Sequence, residues 1–217
     1  MSAQVIIQPP VERIPRSSVP SDTIALARWL LGKVLVSKVR GGQVSGRIVE
    51  TEAYLQREPA CHAFRGMTPR NRSLFLEPGH AYVYLCYGTS HMLNVSSEAA
   101  GMGEGVLLRA LQPLTGVELM RRGRKHVRLA DLARGPGRLA AAMQVDLRHD
   151  GLDLFTDPKL WIGSDGYEVA DIGISVRIGL TKAADEHLRF FDAGSPHLSG
   201  SRLLNTWPTA RTPTAQT

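Results

Sequence analysis

The chain has 217 residues, of which 43% are hydrophobic and 21% charged, a composition that excludes a disordered polyelectrolyte and leaves apolar surface enough for one ordinary core. Lys and Arg outnumber Asp and Glu by 26 to 20, so the formal charge of +6 favours a polyanionic partner. No apolar run approaches the roughly 20 residues of a spanning helix, and two cysteines, Cys61 and Cys86, are too few for a disulfide framework.

The start, Met1-Ser2-Ala3-Gln4, has no basic region followed by an apolar core, so a cytoplasmic, nucleoid-associated chain is expected. Pro9, Pro10, Pro15 and Pro20 mark residues 1–20 as an extended or disordered arm; residues 205–217 read as a disordered tail, and 21–204 as one continuous domain. Asp22 is placed to cap a helix with Ile24, Ala27 and Leu31 on its apolar face, and Gly32 to end it. Strands over 33–39 and 43–54 flank Gly41-Gly42, a hairpin signature. A polar, arginine-rich loop over 55–78 forms a rim, followed by a strand from Tyr82 to Tyr87, a turn at 88–91 and an antiparallel return through Ser96. A strand over 106–111 comes next. Thr115-x-x-Glu118 then has the form of a capping box opening a helix that ends in Arg121-Arg122-Gly123-Arg124-Lys125.

Gly135-Pro136-Gly137-Arg138 opens a further helix through Met143, with free N–H groups and a guanidinium that suit a phosphate. Alternating Ile172, Ile174, Val176 and Ile178 predict a strand, and Leu188–Phe191 another. Hairpin-joined strands outnumber βαβ signals, so the fold class is α+β: a curved, mostly antiparallel sheet with surrounding helices and a protruding β-hairpin.

Within Arg47–Tyr54, a strand puts Ile48, Glu50, Glu52 and Tyr54 on one face. A carboxylate on such a face must be paired, protonated or functional, and either glutamate has Arg47 or Arg109 as a possible partner. Glu50 reads as structural and Glu52 as a general base, set beside an aromatic ring that can stack on a flat heterocycle. The two carboxylates, roughly 7 Å apart along the strand, would also suit a sugar hydrolase, and a non-catalytic nucleic-acid module is a further alternative. Tyr82 and Tyr84 face one side of their strand. Tyr87 faces the other, beside a turn, where an exposed ring can fill the gap left in a duplex by a flipped nucleotide. Cys61-His62 has no second ligand pair, so no metal site is expected, and Gly101-x-Gly103-x-Gly105 reads as a flexible loop.

The motifs Arg47-Ile-Val-Glu-Thr-Glu-Ala-Tyr54, Thr68-Pro-Arg-Asn-Arg72, Tyr82-Val-Tyr-x-x-Tyr-Gly88, Asn94 and Leu107-Leu-Arg-Ala-Leu111, in this order, resemble the alkyladenine (3-methyladenine) DNA glycosylase family. The resemblance extends through Gly135-Pro-Gly-Arg-Leu139, Val176-Arg-Ile-Gly179 and Leu188-Arg-Phe-Phe191. It implies a monofunctional enzyme, without metal or other cofactor, that excises alkylated or deaminated purines such as 3-methyladenine, 7-methylguanine, hypoxanthine and ethenoadenine from double-stranded DNA. By that resemblance Glu52 is the general base, and Arg109 and the main chain near Ile178 help hold the water. Tyr54, His62 and Tyr84 form the base pocket, and Asn94 disfavours the guanine amino group. Tyr87 is the inserted side chain, while Arg70, Arg72, Gly135, Gly137 and Arg138 grip phosphates. The chain departs from the family at Thr89 and Ser90, where bulkier residues are more usual. A monomer is the expected state.

Overall fold

The computed structural model describes residues 9–206, so residues 1–8 of the expected arm and 207–217 of the expected tail lie outside the described residues. In chain order the elements are β1 (Glu12–Arg13), α1 (Thr23–Trp29), β2 (Val34–Val39), β3 (Gly42–Tyr54), β4 (Ala81–Cys86), β5 (Ser90–Ser96), β6 (Gly105–Thr115), α2 (Val117–Met120), α3 (Pro136–Met143), β7 (Leu160–Ser164), β8 (Ile172–Ser175) and β9 (Arg189–Asp192), with short 3-10 turns between several of them. Nine strands form one sheet in the order β1-β7-β2-β3-β6-β5-β4, and β9 joins β3 to β8 beside that path. Every pairing is antiparallel, as the α+β expectation required.

The expected helix over 22–31 is α1: the Asp22 carboxylate accepts from the Ala25 N–H at 2.7 Å, and Leu26 and Ala27 are fully buried against the sheet. β2 and β3 form the Gly41-Gly42 hairpin, and β4 and β5 form the second. The main core lies between the sheet and helices α1 and α3, where Leu30, Leu35, Ile48, Leu108 and Leu139 have no exposed surface. Burying aliphatic side chains of this kind contributes about 1.5–3 kcal/mol each, so this layer fixes the sheet on which the site is built. Among the described residues no helix is long and apolar enough to cross a membrane.

Four local expectations change. Part of the N-terminal arm is ordered on the sheet, Glu12 and Arg13 pairing with Ser164 and Gly163. The capping box does not form, because Thr115 is the last residue of β6 and its hydroxyl is 2.8 Å from that of Ser45. Gly116 instead starts α2 at φ +71, and the helix is a single turn of four residues. The predicted strand through Ile178 ends at Ser175, and the segment beyond it leaves the sheet, tied by Arg177 to the Ala53 carbonyl at 2.8 Å. The glycines of 101–105 are only partly a loop: Gly105 begins β6, and a Cβ on Gly103 would lie 2.4 Å from that of Ala63.

A Cβ on Gly116 would lie 2.4 Å from the Gln43 carbonyl oxygen, and the left-handed backbone adds strain for any L side chain. Gly116→Ala is expected to destabilise the protein by about 1–3 kcal/mol in a urea melt, with the fold retained; an unchanged midpoint would refute this account of the β6–α2 junction.

Candidate active site

The site grows from β3. Its neighbour on one side is β6, and on the other β2 up to Arg47 and then β9 from Glu50 to Glu52. The β3–β6 register shifts at Val49 and shifts back at Arg109, so neither residue has a direct partner and the ladder is the same on both sides of Glu50. Paired irregularities of this kind re-aim side chains without breaking a sheet. Here they turn the Arg109 guanidinium to the carboxylate face of β3, where Nε donates to Glu50 Oε1 at 3.0 Å and Nη1 to Glu52 Oε2 at 3.1 Å.

Glu52 has no exposed surface, yet each of its oxygens has donors: the Ile178 N–H to Oε1 at 2.7 Å, and the Tyr54 hydroxyl to Oε2 at 2.9 Å beside Arg109. Burial raises its pKa above the ordinary 4.5, with Arg109, the Ile178 amide and Tyr54 offsetting that rise only in part. Glu50 is equally buried but differs in kind. Burial pushes its pKa up too, and the charges of Arg189 and Arg109 with the Ser199 hydroxyl outweigh it, so the net displacement is downward. With Arg109, Arg189 and Ser199 all donating to it, no exposed surface and no place in the cavity wall, Glu50 is out of a substrate's reach, which removes the two-carboxylate sugar-hydrolase geometry. Arg47, the other candidate partner, turns away and forms a two-pronged pair with Asp165 at 2.7 and 2.8 Å.

A cavity of about 550 Å³, within the size range of small-molecule sites, is walled in part by Tyr54, Arg109 and Ile178, the three residues that donate to the buried Glu52. Tyr54, His62, Tyr84 and Asn94 line it together with Arg109 and Ile178, so the predicted pocket residues converge. Tyr82 and Tyr84 share a strand face and stack with ring centroids 5.3 Å apart, and the His62 ring meets Tyr84 edgewise at 4.5 Å. His62 Nδ1 lies 2.9 Å from the Tyr82 hydroxyl, and burial of the ring with the nearby Arg70 charge lowers its pKa, which favours a neutral imidazole. Burial lifts the Tyr84 phenol to about 12, so this ring too is uncharged at neutral pH. The Asn94 amide is fixed by donating to the Tyr82 carbonyl at 3.1 Å. His62 and Cys61 diverge: the Cys61 thiol points to the Gly103 carbonyl at 3.5 Å, and among the described residues no cluster of three His, Cys, Asp or Glu could hold a metal ion.

Tyr87 is 96% exposed at the tip of the β4–β5 hairpin and also borders the cavity mouth. It is a turn residue: Tyr87 has φ +48 and Gly88 +70, and the Thr89 N–H closes the turn on the Cys86 carbonyl at 3.0 Å. Positive φ at both central positions is the sign pattern that suits a tight hairpin, but a bulky ring there is strained and unburied, a combination typical of functional positions. Arg70 stands at the rim with its guanidinium 5.5 Å from the Tyr84 ring centre, whereas Arg72 is exposed at the start of a 3-10 turn and does not border the cavity. Gly135, Gly137 and Arg138 lie at the start of α3, and Pro136 between them borders the cavity. A Cβ on Gly137 would lie 2.9 Å from that of Ser90, so the glycine lets the helix start approach the hairpin just below its tip.

Three groups around the site were not singled out from sequence. Arg189 is fully buried between Leu188 and Phe190, and an arginine inside an apolar strand was a signal that it has an acidic partner. Arg177, also buried, pairs with Glu58 and lies 4.7 Å from the Tyr54 ring centre, anchoring the segment that carries the Ile178 N–H. Ser199 had no sequence signal; only the fold brings it to Glu50.

The model of the methylpurine-DNA glycosylase family matches residues 17–196. A protein of Mesorhizobium japonicum is 61% identical over 191 residues, covering 88% of this chain and 92% of its own, and one of Paraburkholderia phytofirmans is 48% identical over 206 residues, covering 95% and 97%. A third, of Methanocella arvoryzae, is 42% identical over 194 residues, covering 86% and 95%; all three carry the name "Putative 3-methyladenine DNA glycosylase".

The opposite displacements of the two glutamates give opposite stability outcomes. Glu50, held below 4.5, contributes stability that is present above its unfolded pKa and lost as pH falls. Glu52, held above 4.5, contributes in the reverse sense, its stabilisation being present at low pH and lost as pH rises through its folded pKa. Thermal melts at neutral pH are therefore expected to show a lower Tm for Glu50→Gln and an equal or higher Tm for Glu52→Gln; the reverse order would overturn the assignment of the structural and the poised carboxylate.

Proposed function

The chain belongs to the methylpurine-DNA glycosylase family, and on that premise we propose that it is a monofunctional DNA glycosylase that flips damaged purines out of double-stranded DNA and hydrolyses their N-glycosidic bond, initiating base excision repair. The observation that carries this reading is Glu52: a fully buried carboxylate with a raised pKa, held by Tyr54, Arg109 and the Ile178 N–H, three residues that line an aromatic cavity.

Positive charge develops on the sugar as the bond to the base breaks. Glu52 accepts the proton of the attacking water and its negative charge stabilises the sugar, while Arg109 and the main chain at Ile178 orient that water. A base with its pKa raised toward the working pH is the better acceptor. Tyr54, His62 and Tyr84 enclose the flipped purine, and stacking returns roughly 1–3 kcal/mol per base against the few kcal/mol lost on unstacking. Damaged, weakly paired purines lose least on leaving the duplex, so selection begins before chemistry.

The substrate class is alkylated or deaminated purines: 3-methyladenine, 7-methylguanine, hypoxanthine and ethenoadenine. Uncharged aromatic walls at His62 and Tyr84 suit cationic alkylated rings. Asn94, fixed beside the cavity, stands where a guanine amino group would be crowded. Tyr87 enters the minor groove and fills the vacated space; Arg70, Arg72 and the Gly135-Pro136-Gly137-Arg138 helix start hold the flanking phosphates. The +6 net charge fits that partner. We assign the monomer as the working unit, in the cytoplasm with the nucleoid.

Single-turnover release of hypoxanthine from a duplex oligonucleotide is expected for the wild type, and Glu52→Gln should lower it by about 10²–10⁴-fold while lesion binding persists. Normal turnover by Glu52→Gln would refute the base assignment. Release should decline as the medium is acidified through a pKa above 4.5, where Glu52 takes up its proton; a rate independent of pH in that range contradicts it. Tyr87→Ala should weaken flipping of a fluorescent adenine analogue, and unchanged flipping would exclude the wedge.

A further inference from the structure

We propose that Glu50 and Ser199 are positioning residues for the reaction, clamping the Arg109 guanidinium in the orientation that reaches Glu52. The proposal rests on the reading of Glu52 as the general base.

Arg109 is held along one edge and presented along the other. Its Nε donates to Glu50 Oε1 at 3.0 Å and lies 3.3 Å from Ser199 Oγ, Nη2 donates to Ser199 Oγ at 3.1 Å, and Nη1 alone reaches Glu52, at 3.1 Å. A planar guanidinium fixed at two adjacent nitrogens has its third nitrogen placed by geometry. Glu50 is immobilised in turn. The Ser199 N–H donates to Oε2 at 2.5 Å, while the Ser199 hydroxyl and Arg189 Nε meet Oε1 at 2.7 and 2.8 Å. Arg189 is itself secured by Ser175 Oγ at 2.8 Å, by the Leu204 carbonyl at 3.0 Å and by Asn205 Oδ1 at 2.6 Å. Neither Glu50 nor Ser199 borders the cavity, and among the described residues Arg109 is the one cavity-lining residue hydrogen-bonded to them, so their contact with the reaction runs through Arg109, to which Glu50 adds the effect of its charge on Glu52.

Charge gives a readout that packing alone does not. The titratable groups facing Glu52 are Glu50 and Tyr54 on its own strand, Arg109 on β6, Arg189 opposite it on β9, Arg177 in the segment after β8 and Tyr84 on the hairpin. With Glu50 ionised, two carboxylates face Arg109 and Arg189. Replacing Glu50 with glutamine removes a like charge and leaves the Arg109 guanidinium to the single carboxylate of Glu52, which then loses its proton at lower pH. Arg109 simultaneously exchanges a charged acceptor for the weaker, neutral amide oxygen, and the glutamine NH2 meets the Ser199 N–H donor to donor, so the clamp loosens and the plateau rate falls although every group that meets the substrate is intact.

The test uses the full chain as wild type, Glu50→Gln and Ser199→Ala, each followed by single-turnover hypoxanthine release against pH, by carbon-13 NMR titration of the Glu52 carboxyl, and by thermal melting. Glu50→Gln is expected to lower the plateau rate by up to about 100-fold, the scale of a small misplacement of a catalytic group, and to move both the acidic limb and the Glu52 titration to lower pH. Ser199→Ala, which keeps the Glu50 charge, should lower the plateau rate by a smaller factor and leave the limb where it is. A folded Glu50→Gln protein with the wild-type rate and limb, changed only in Tm, would overturn the proposal; if that variant does not fold, a wild-type rate in Ser199→Ala overturns it instead. Should the wild type release no base from deaminated or methylated DNA, the functional reading fails by itself. The Glu52 titration still decides the coupling, an unmoved midpoint in Glu50→Gln counting against it.

Discussion

The structure depends on one guanidinium shared between two buried carboxylates. Each ion removed from water costs several kcal/mol, and two glutamates on one strand face would repel as well, so Glu50 and Glu52 are tenable only with Arg109 between them. That requirement propagates. Arg109 alone leaves two negative charges against one positive, and Arg189 on β9 supplies the other, which obliges β9 to pair with β3 where β2 leaves off. Arg189 has donors beyond those Glu50 can satisfy, and residues 199–205 fold back to accept them. The branch in the sheet and the return of the chain after β9 thus follow from the charge placed on β3.

The same physics divides the two glutamates, which differ by two positions and share strand and burial. Glu50 is surrounded by donors and is held ionised, whereas Glu52 keeps a raised proton affinity behind the cavity-lining Tyr54, Arg109 and Ile178. The aromatic residues are divided likewise. Tyr82 is buried and turns its hydroxyl to His62, Tyr84 presents its ring to the cavity, and Tyr87 projects beyond the protein. A two-residue alternation along β4 accounts for the first two, and the left-handed backbone at the hairpin tip for the third.

Much of this was legible in the sequence because the signals were local. The face shared by Glu50, Glu52 and Tyr54 follows from strand alternation, although Ile48, expected on it, packs into the main core beyond the shift at Val49; the β2–β3 hairpin follows from Gly41-Gly42, and α1 from Asp22 and its apolar spacing. What was not legible is what depends on contacts across the fold. Thr115 meets the capping-box pattern, but Ser45 on the neighbouring strand engages its hydroxyl and Gly116 takes over the helix start. The alternating isoleucines extend past Ser175, but Arg177 finds Glu58 and the Ala53 carbonyl, which pulls the segment out of the sheet and frees the Ile178 N–H for Glu52. The compensating register shifts at Val49 and Arg109 leave no mark in composition or periodicity.

The long sequence separations within the charge cluster bear on the order in which the chain can be made. Glu50 and Glu52 are synthesised well before their supports: Arg109 is 59 residues beyond Glu50, Arg189 139 and Ser199 149. Domains are assembled as their residues emerge during synthesis, and a nascent chain ending before β9 lacks the Arg189 charge and the Ser199 donors that compensate the burial of Glu50. The carboxylate face of β3 therefore closes only when the last strand and the residues after it have been delivered, so the charge cluster is among the last parts of the chain to be completed.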